Sequence, residues 1–400
     1  MSELFWPGED RAGALMSDGA LLDAMMRVEI AWLWALVTTG TAPDMSFATT
    51  RSPEGLDDVE AGGNPVISFV ARLRADLPEP ARSWLHRGLT SQDTLDSALM
   101  FCLRDVVDAV QRDGLRQIVV LRDLADRHRA TLTAGRTLTQ HAVPTTFGLT
   151  AARWLDAVLD ALTDLRALGF PVQVGGAAGT RSAIAAIAGG TDSAQRLVDT
   201  FAERLNRSPG RVSRRVIESA DPWHTNRRPV TRIGDALTAC VDAWGQIAND
   251  VLVRTRPEIG ELSEGAPGGS STMPHKQNPV LSVLIKRAAI AAPFHAAQLH
   301  AAAAAAVDDR PDGGWHAEWA VLRTLGRLAA TAAAQAADLL EGLVVHADRM
   351  TATAEAAAED LLAEQRALTG TSGDLRDYLG ANDVLILRSL HRADRFLEGQ

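Results

Sequence analysis

The sequence predicts an all-α fold built around long helices packed as a bundle. Apolar residues recur at helical spacing over five separate stretches. Alternating apolar and polar runs bounded by turn residues are nearly absent. The five stretches are long, and several are apolar around much of their circumference, so each helix needs neighbours on more than one side. Such faces are expected to be covered by further copies of the chain.

The first stripe runs from Leu103 through Val106, Val107, Val110, Ile118 and Leu121 to Leu124, with Arg and Asp between; Gly114 interrupts it, and a kink is expected there. A second runs Leu155, Val158, Leu162 and Leu165 and stops at Gly169, with Pro171 beyond. A third follows Pro229 through Ile233, Leu237, Val241, Trp244, Ile247 and Val251. The fourth follows Pro279 through Val283, Leu284, Arg287 and Ile290 to Pro293, where a break or kink is expected. The fifth runs Leu322, Leu325, Leu328, Ala332, Ala336, Leu339 and Leu343. Loops are expected at 52–65, 175–179, 189–191 and 260–271. No linker is long enough to separate independent domains, and the tail over 346–400, more charged and shorter in period, is expected to form a small helical domain.

Hydrophobic residues at 46% and charged residues at 22% exclude a disordered or collagen-like chain. A net charge of −10 argues against nucleic acid as a partner, because that binding rests on neutralised phosphates. No uncharged apolar run reaches bilayer length, and the first residues lack the charge and apolar pattern of a signal peptide. A cytoplasmic protein without membrane contact is the expectation. Cys102 and Cys240 form no CxxC pair and the ten histidines show no HExxH, so neither a metal nor a disulfide framework is expected. Only two of the 40 basic residues are lysines, Lys276 and Lys286, and they fall within eleven residues of each other.

That stretch begins Gly269-Ser270-Ser271-Thr272-Met273-Pro274-His275-Lys276-Gln277-Asn278-Pro279. A glycine-rich loop here runs into a helix, with Asn278 the expected N-cap and Pro279 the first helical residue. Exposed amides and a lysine beside a helix N-terminus make an anion site, and Ser270 and Ser271 sit where that field would stabilise an oxyanion. A surface loop that merely caps a helix accounts for the same residues.

The segment matches the signature loop of the fumarase/aspartase superfamily, G-S-S-x-M-P-x-K-x-N-P, at every fixed position. Two further segments resemble that family's conserved blocks in the right order. The first runs from His86 through Gly88, Thr90, Ser91, Gln92 and Asp93 to Asp96. The second runs from Gly135 through Thr137, Leu138, Gln140, His141 and Pro144 to Gly148. Read without the family, the first is a helix start whose hydroxyls cap, and the second offers a lone histidine of no special standing.

The resemblance implies a three-domain helical fold (an N-terminal domain over 1–98, a central long-helix domain over 99–345 carrying the signature loop, and a shortened C-terminal domain over 346–400), a homotetramer with active sites shared between subunits, and cofactor-free, metal-free addition or elimination on a small polycarboxylate. It implies Ser270 as the proton-transfer residue, His141 and Lys276 as its catalytic companions, and His86, Thr90, Ser91, Gln92, Thr137, Gln140, Ser271, Met273 and Asn278 as substrate contacts.

Gly63-Asn64-Pro65-Val66-Ile67, Val172 to Thr180, Pro222-Trp223-His224-Thr225 and Gly314 to Trp319 resemble the branch of 3-carboxy-cis,cis-muconate cycloisomerases. That branch lactonises its substrate through an aci-carboxylate. Thr225, Asn226, Arg227 and Arg310 then become further substrate contacts, with Arg227 and Arg310 clasping carboxylates. Asn226-Arg227-Arg228 and Asp308-Asp309-Arg310 depart from the branch's usual residues. The alternative is a lyase that releases fumarate from a succinyl adduct, of adenylosuccinate, argininosuccinate or nitrosuccinate type.

Overall fold

Helical periodicity over this chain resolves, in a computed structural model describing residues 4–46, 52–206 and 217–399, into one long-helix bundle with smaller elements at its ends. Before the bundle come α1 (Asp18–Thr38), α2 (Val59–Gly62), α3 (Pro65–Asp76) and α4 (Ala81–Trp84). Next are α5 (Ser91–Arg127), the strands β1 (Leu132–Thr137) and β2 (Gln140–Thr146), α6 (Phe147–Arg166) and β3 (Phe170–Gln173). Then follow α7 (Ser182–Ala188), α8 (Thr191–Asn206), β4 (Ile217–Ala220), α9 (Arg228–Arg254), β5 (Leu262–Glu264), α10 (Val280–Ala304) and α11 (Gly313–Glu341). The chain closes with β6 (Leu343–Val345), α12 (Ala347–Ala356), α13 (Ala358–Leu361), α14 (Ala363–Thr369) and α15 (Asn382–Glu398).

The five predicted stripes are α5, α6, α9, α10 and α11. α5 starts at Ser91 and passes unbroken through positions 98 and 99. Side-chain bonds fix the directions. Arg227, just before α9, pairs with Glu318 near the start of α11 and with Asp96 near the start of α5. Further along, Trp244 of α9 donates to Gln117 of α5, which donates to the Ala333 carbonyl of α11. α5, α9 and α11 therefore run parallel, and α6 and α10 return antiparallel to them.

Glycine marks where backbones meet. A Cβ on Gly114 would lie 2.6 Å from a Leu162 methyl of α6, so this glycine admits a neighbour and α5 continues through it. A Cβ on Gly245 would lie 2.5 Å from Ala289 Cβ, so α9 and α10 approach closely there. α10 also runs through Pro293 without a break. The residue four earlier, whose carbonyl proline leaves without its helical partner, is that same Ala289, and packing against α9 and α11 flanks the helix there.

Strands were absent from the sequence expectation, and three short two-stranded pairs are present. The β1–β2 hairpin is antiparallel, β3–β4 parallel and β5–β6 antiparallel. β3 to β6 are only three or four residues long, and β1 and β2, though longer, carry no regular apolar alternation. The tail folds back on the bundle: Ile386 and Leu390 of α15 pack with Leu124, Leu149 and Ala152. Leu361, Leu362 and Leu375 cover Leu132 and Ala134 of β1.

α10 has the length and apolar composition of a membrane span, and it carries Lys286 and Arg287. Val280, Val283, Ile290 and Phe294 are exposed at 38, 53, 61 and 75%. Their spacing puts them on one stripe of the helix, uncovered in a single chain.

Candidate active site

Candidate residues gather at both ends of the bundle. At the end where α5, α9 and α11 begin, Thr90 is the N-cap of α5 and its amide donates to Asp93 Oδ2 at 3.0 Å. Asp93 also accepts the Gly175 and Gly176 amides at 2.8 and 2.9 Å and meets His224 Nε2 at 2.8 Å. One buried carboxylate thus ties the Thr90–Ser91 turn to the glycine loop that follows β3.

Beside it lies a buried ionic cluster. Arg227 donates to Asp96 at 2.7 and 3.0 Å and to Glu318 at 2.7 and 3.0 Å, and all three side chains are sealed from solvent. Trp315 Nε1 and Gln173 Nε2 add donors to Asp96 at 2.9 and 2.7 Å. Burial, with Asp96 alongside, pushes Glu318 above the usual carboxylate range against the pull of Arg227. Burial opposes the charge of Arg227, but Asp96 and Glu318 outweigh it and keep the guanidinium firmly protonated.

The expected carboxylate clasp by Arg227 is therefore corrected: both of its faces are taken by the protein's own acids. Gln92 is corrected for the same reason. It is fully buried, donates to Asp96 and the His224 carbonyl, and accepts from Arg310 Nε at 3.4 Å. Among the expected contacts at this end, His86, Thr90, Ser91, Thr225 and Arg310 are partly exposed, while Asn226 is fully so. Arg228 also faces solvent.

The hairpin carries the second group at the opposite end. Leu138 and Thr139 form its two-residue turn, both in the left-handed region at φ 50° and 70°, the geometry a tight hairpin requires. Thr137 pairs with Gln140 and His141 with Arg136, and the whole tip from Thr137 to His141 is exposed. Arg136 and Arg254 both bind the buried Glu261 carboxylate, at 2.6 and 2.7 Å. That anchors the hairpin directly ahead of β5 and the signature loop.

The loop is closed at a neck. Gly268 and Asn278 exchange backbone hydrogen bonds of 2.8 Å, and Asn278 Nδ2 donates to the Gly269 carbonyl at 2.9 Å. Within it, Ser270 Oγ accepts from the Met273 and Thr272 amides at 3.2 and 3.4 Å. Ser271, Met273 and Lys276 face solvent. Arg256, Glu264, His275, Lys276 and Asn278 line a cavity of about 570 Å³ at its base.

Asn278 does not cap the helix. α10 starts at Val280, and the buried Glu264 carboxylate receives the Leu281 and Ser282 amides at 3.2 and 2.8 Å and the Ser282 hydroxyl at 2.7 Å. The helix N-terminus expected to hold a substrate anion already holds one from the protein. Glu264, fifteen residues before the cap position Pro279, matched no local capping pattern.

α9 spans 27 residues, about 40 Å of helix. Thr90, Ser91, Thr225, Asn226 and Arg310 lie where it starts; Thr137, Gln140, His141, Ser270 and Lys276 lie where it ends. Among the described residues no three His, Cys, Asp or Glu side chains cluster as a metal site requires.

A family model described as Lyase matches residues 57–292. The nitrosuccinate lyase of Streptomyces davaonensis is 42% identical over 401 residues, covering 96% of this chain and 82% of that protein. The 3-carboxy-cis,cis-muconate cycloisomerase of Bradyrhizobium diazoefficiens is 34% identical, covering 88% of this chain and 78% of that protein. The crystal structure of 3-carboxy-cis,cis-muconate lactonizing enzyme from Pseudomonas putida superposes with a TM-score of 0.81 at 27% identity, covering 96% and 97% of the two chains. With its signature loop, its long-helix bundle and a family match over most of its length, the chain belongs to the lyases of the fumarase/aspartase superfamily.

Proposed function

We propose that the protein is a lyase that eliminates a small anionic leaving group from a 2-substituted succinate, with nitrosuccinate the first candidate. The observation that carries this reading is the buried Asp96–Arg227–Glu318 cluster. A tricarboxylate muconate calls for a cation at each of three carboxylates and for the charge that develops in the transition state. With Arg227 committed internally, Lys276, Arg310 and the Thr90–Ser91 hydroxyls match a dicarboxylate better. The 42% identity to a nitrosuccinate lyase supports the same choice.

In this scheme Ser270 Oγ removes a proton from the carbon next to one carboxylate, giving an aci-carboxylate whose added charge Lys276 and the loop amides offset. The electron pair then forms the C=C bond as the C–N bond breaks. Nitrosuccinate dianion yields fumarate, nitrite and one proton. Nitrite is a stable anion and departs unprotonated, so His141 orients or polarises the substrate rather than protonating the leaving group. Because the two groups of residues stand about 40 Å apart on α9, each site is completed by another copy of the chain. The exposed α10 stripe supplies an apolar seam for that assembly, expected to be a homotetramer.

Cycloisomerisation of 3-carboxy-cis,cis-muconate is the second reading, favoured by Arg228 and Arg310 remaining accessible and by the cycloisomerase relatives. The test is to give purified enzyme nitrosuccinate and 3-carboxymuconate separately, following nitrite release and loss of muconate absorbance. Lactone formation without nitrite release overturns the first reading. Light scattering that shows an active monomer overturns the shared site.

A further inference from the structure

Glu29 lies outside every motif, in the middle of α1, with no exposed surface. Its Oε1 meets His86 Nδ1 at 2.7 Å and accepts the Thr94 hydroxyl at 2.7 Å. Its Oε2 is buried with no hydrogen-bond partner among the described residues. An ionised carboxylate so enclosed is expensive unless a cation stands against it, and His86 is the group in place to supply one.

His86 itself is unusually held. Its backbone sits at φ 61°, a region non-glycine residues rarely adopt, and residues in such conformations persist where their neighbours over-determine them. The indole of Trp32, one turn along α1 from Glu29, donates to the Arg87 carbonyl at 2.9 Å and pins the next residue. The His86 side chain retains 17% exposure, and Nδ1 is turned to the buried acid, leaving Nε2 as the nitrogen available outside.

We infer that Glu29 is a positioning residue that holds His86 as an imidazolium, so that its Nε2–H serves as a charged donor to a substrate carboxylate in the Thr90–Ser91 half-site. This rests on the reading of that turn as a carboxylate half-site. It supplies a cation at the end of the bundle where Arg227 is unavailable. The charged groups facing His86 are Glu29 from α1, Arg74 from α3 and Asp93 from α5. Burial and Arg74 lower its pKa, but Glu29, by charge and hydrogen bond, and Asp93 outweigh them, so it lies above the ordinary histidine value.

Substrate capture then fails as pH rises through the His86 pKa. Glu29→Gln keeps an acceptor but removes the charge, so the alkaline limb of kcat/KM moves to lower pH by about one unit or more. Thr94→Val removes the other bond to the same oxygen and leaves the limb in place. His86→Asn removes the limb, and adding E29Q to it changes nothing further. Imidazole-15N NMR reads the His86 titration without turnover, its resonance identified by its loss in His86→Asn. Should E29Q fold poorly, Glu29→Asp shifts the titration in the same sense by less. An unmoved His86 titration in both Glu29 variants overturns the inference. A normal, raised His86 titration in wild-type enzyme that releases no nitrite overturns the proposed reaction instead.

Discussion

Replacing Arg227 with methionine separates a structural arginine from a substrate contact. Asp96 keeps donors from Gln92, Gln173 and Trp315, whereas among the described residues the side-chain hydrogen bonds to Glu318 all come from Arg227. The loss therefore falls mainly on Glu318, which is sealed in the core and must take up a proton. From an ordinary glutamate value near 4.3, protonation costs about 3.7 kcal/mol at pH 7 and about 1 kcal/mol at pH 5. The first figure lies within the range of about 3–5 kcal/mol for breaking a buried pair. The folded variant binds a proton at Glu318 that the unfolded chain has released, so stability falls as pH rises above the unfolded value. Urea unfolding of wild type and R227M at pH 7 and pH 5 measures this, and the stability deficit shrinks by about 2–3 kcal/mol at the lower pH. A variant with wild-type unfolding midpoints and a raised KM for dicarboxylates would refute the assignment, because Arg227 would then be swinging out to substrate.

Ser270→Ala lowers kcat by about 10²–10⁴-fold while fumarate affinity, read by calorimetry, stays within about twofold. Gly245→Ala forces a methyl against Ala289 Cβ, which has no rotamer to yield; overpacking of about 1–3 kcal/mol exceeds the helix-propensity gain of about 1 kcal/mol, and thermal unfolding shows a net loss. Gly114→Ala meets only the outer end of the Leu162 side chain, its two methyls and Cγ, which can shift by changing rotamer, and costs less in the same assay. Glu264→Ala strips the acceptor from two buried amides and a hydroxyl at the start of α10, costing about 1–3 kcal/mol by urea unfolding and lowering kcat as the loop loses its base.

The bundle was legible because each of its helices repeats its apolar stripe for many turns. α11 carries seven stripe positions from Leu322 to Leu343, and six of them fall within the helix. The hairpin was not, since its turn is Leu138-Thr139 rather than an Asn-Gly or Asp-Gly pair, and its strands carry no regular apolar alternation. Gly114 and Pro293 lie inside continuous helices although local propensity disfavours both, and the packing beside them, Leu162 on Gly114 and Gly245 on Ala289, comes from residues far away in sequence. Ser270 and Lys276 stand out in the sequence through the signature-loop resemblance, and the structure places both in the loop closed by the Gly268–Asn278 neck. Arg227 could not be read correctly, because a buried and a substrate-facing arginine look alike until Asp96 and Glu318, 131 and 91 residues distant, are brought beside it. Glu264 escaped for the same reason.

The Glu264 cap bears on how quickly a dianion can be captured. With the amino end of α10 already neutralised, the loop offers no standing positive pole, and its cation, Lys276, rides on the part beyond the neck. A chain of net charge −10 meanwhile repels dianions at long range. With Lys276 in the role proposed for it, added salt screens that repulsion and speeds arrival, yet weakens the attraction between Lys276 and a seated dianion. Association and dissociation rates then both rise with ionic strength, so the ionic atmosphere sets how fast ligand exchanges more strongly than how much is bound.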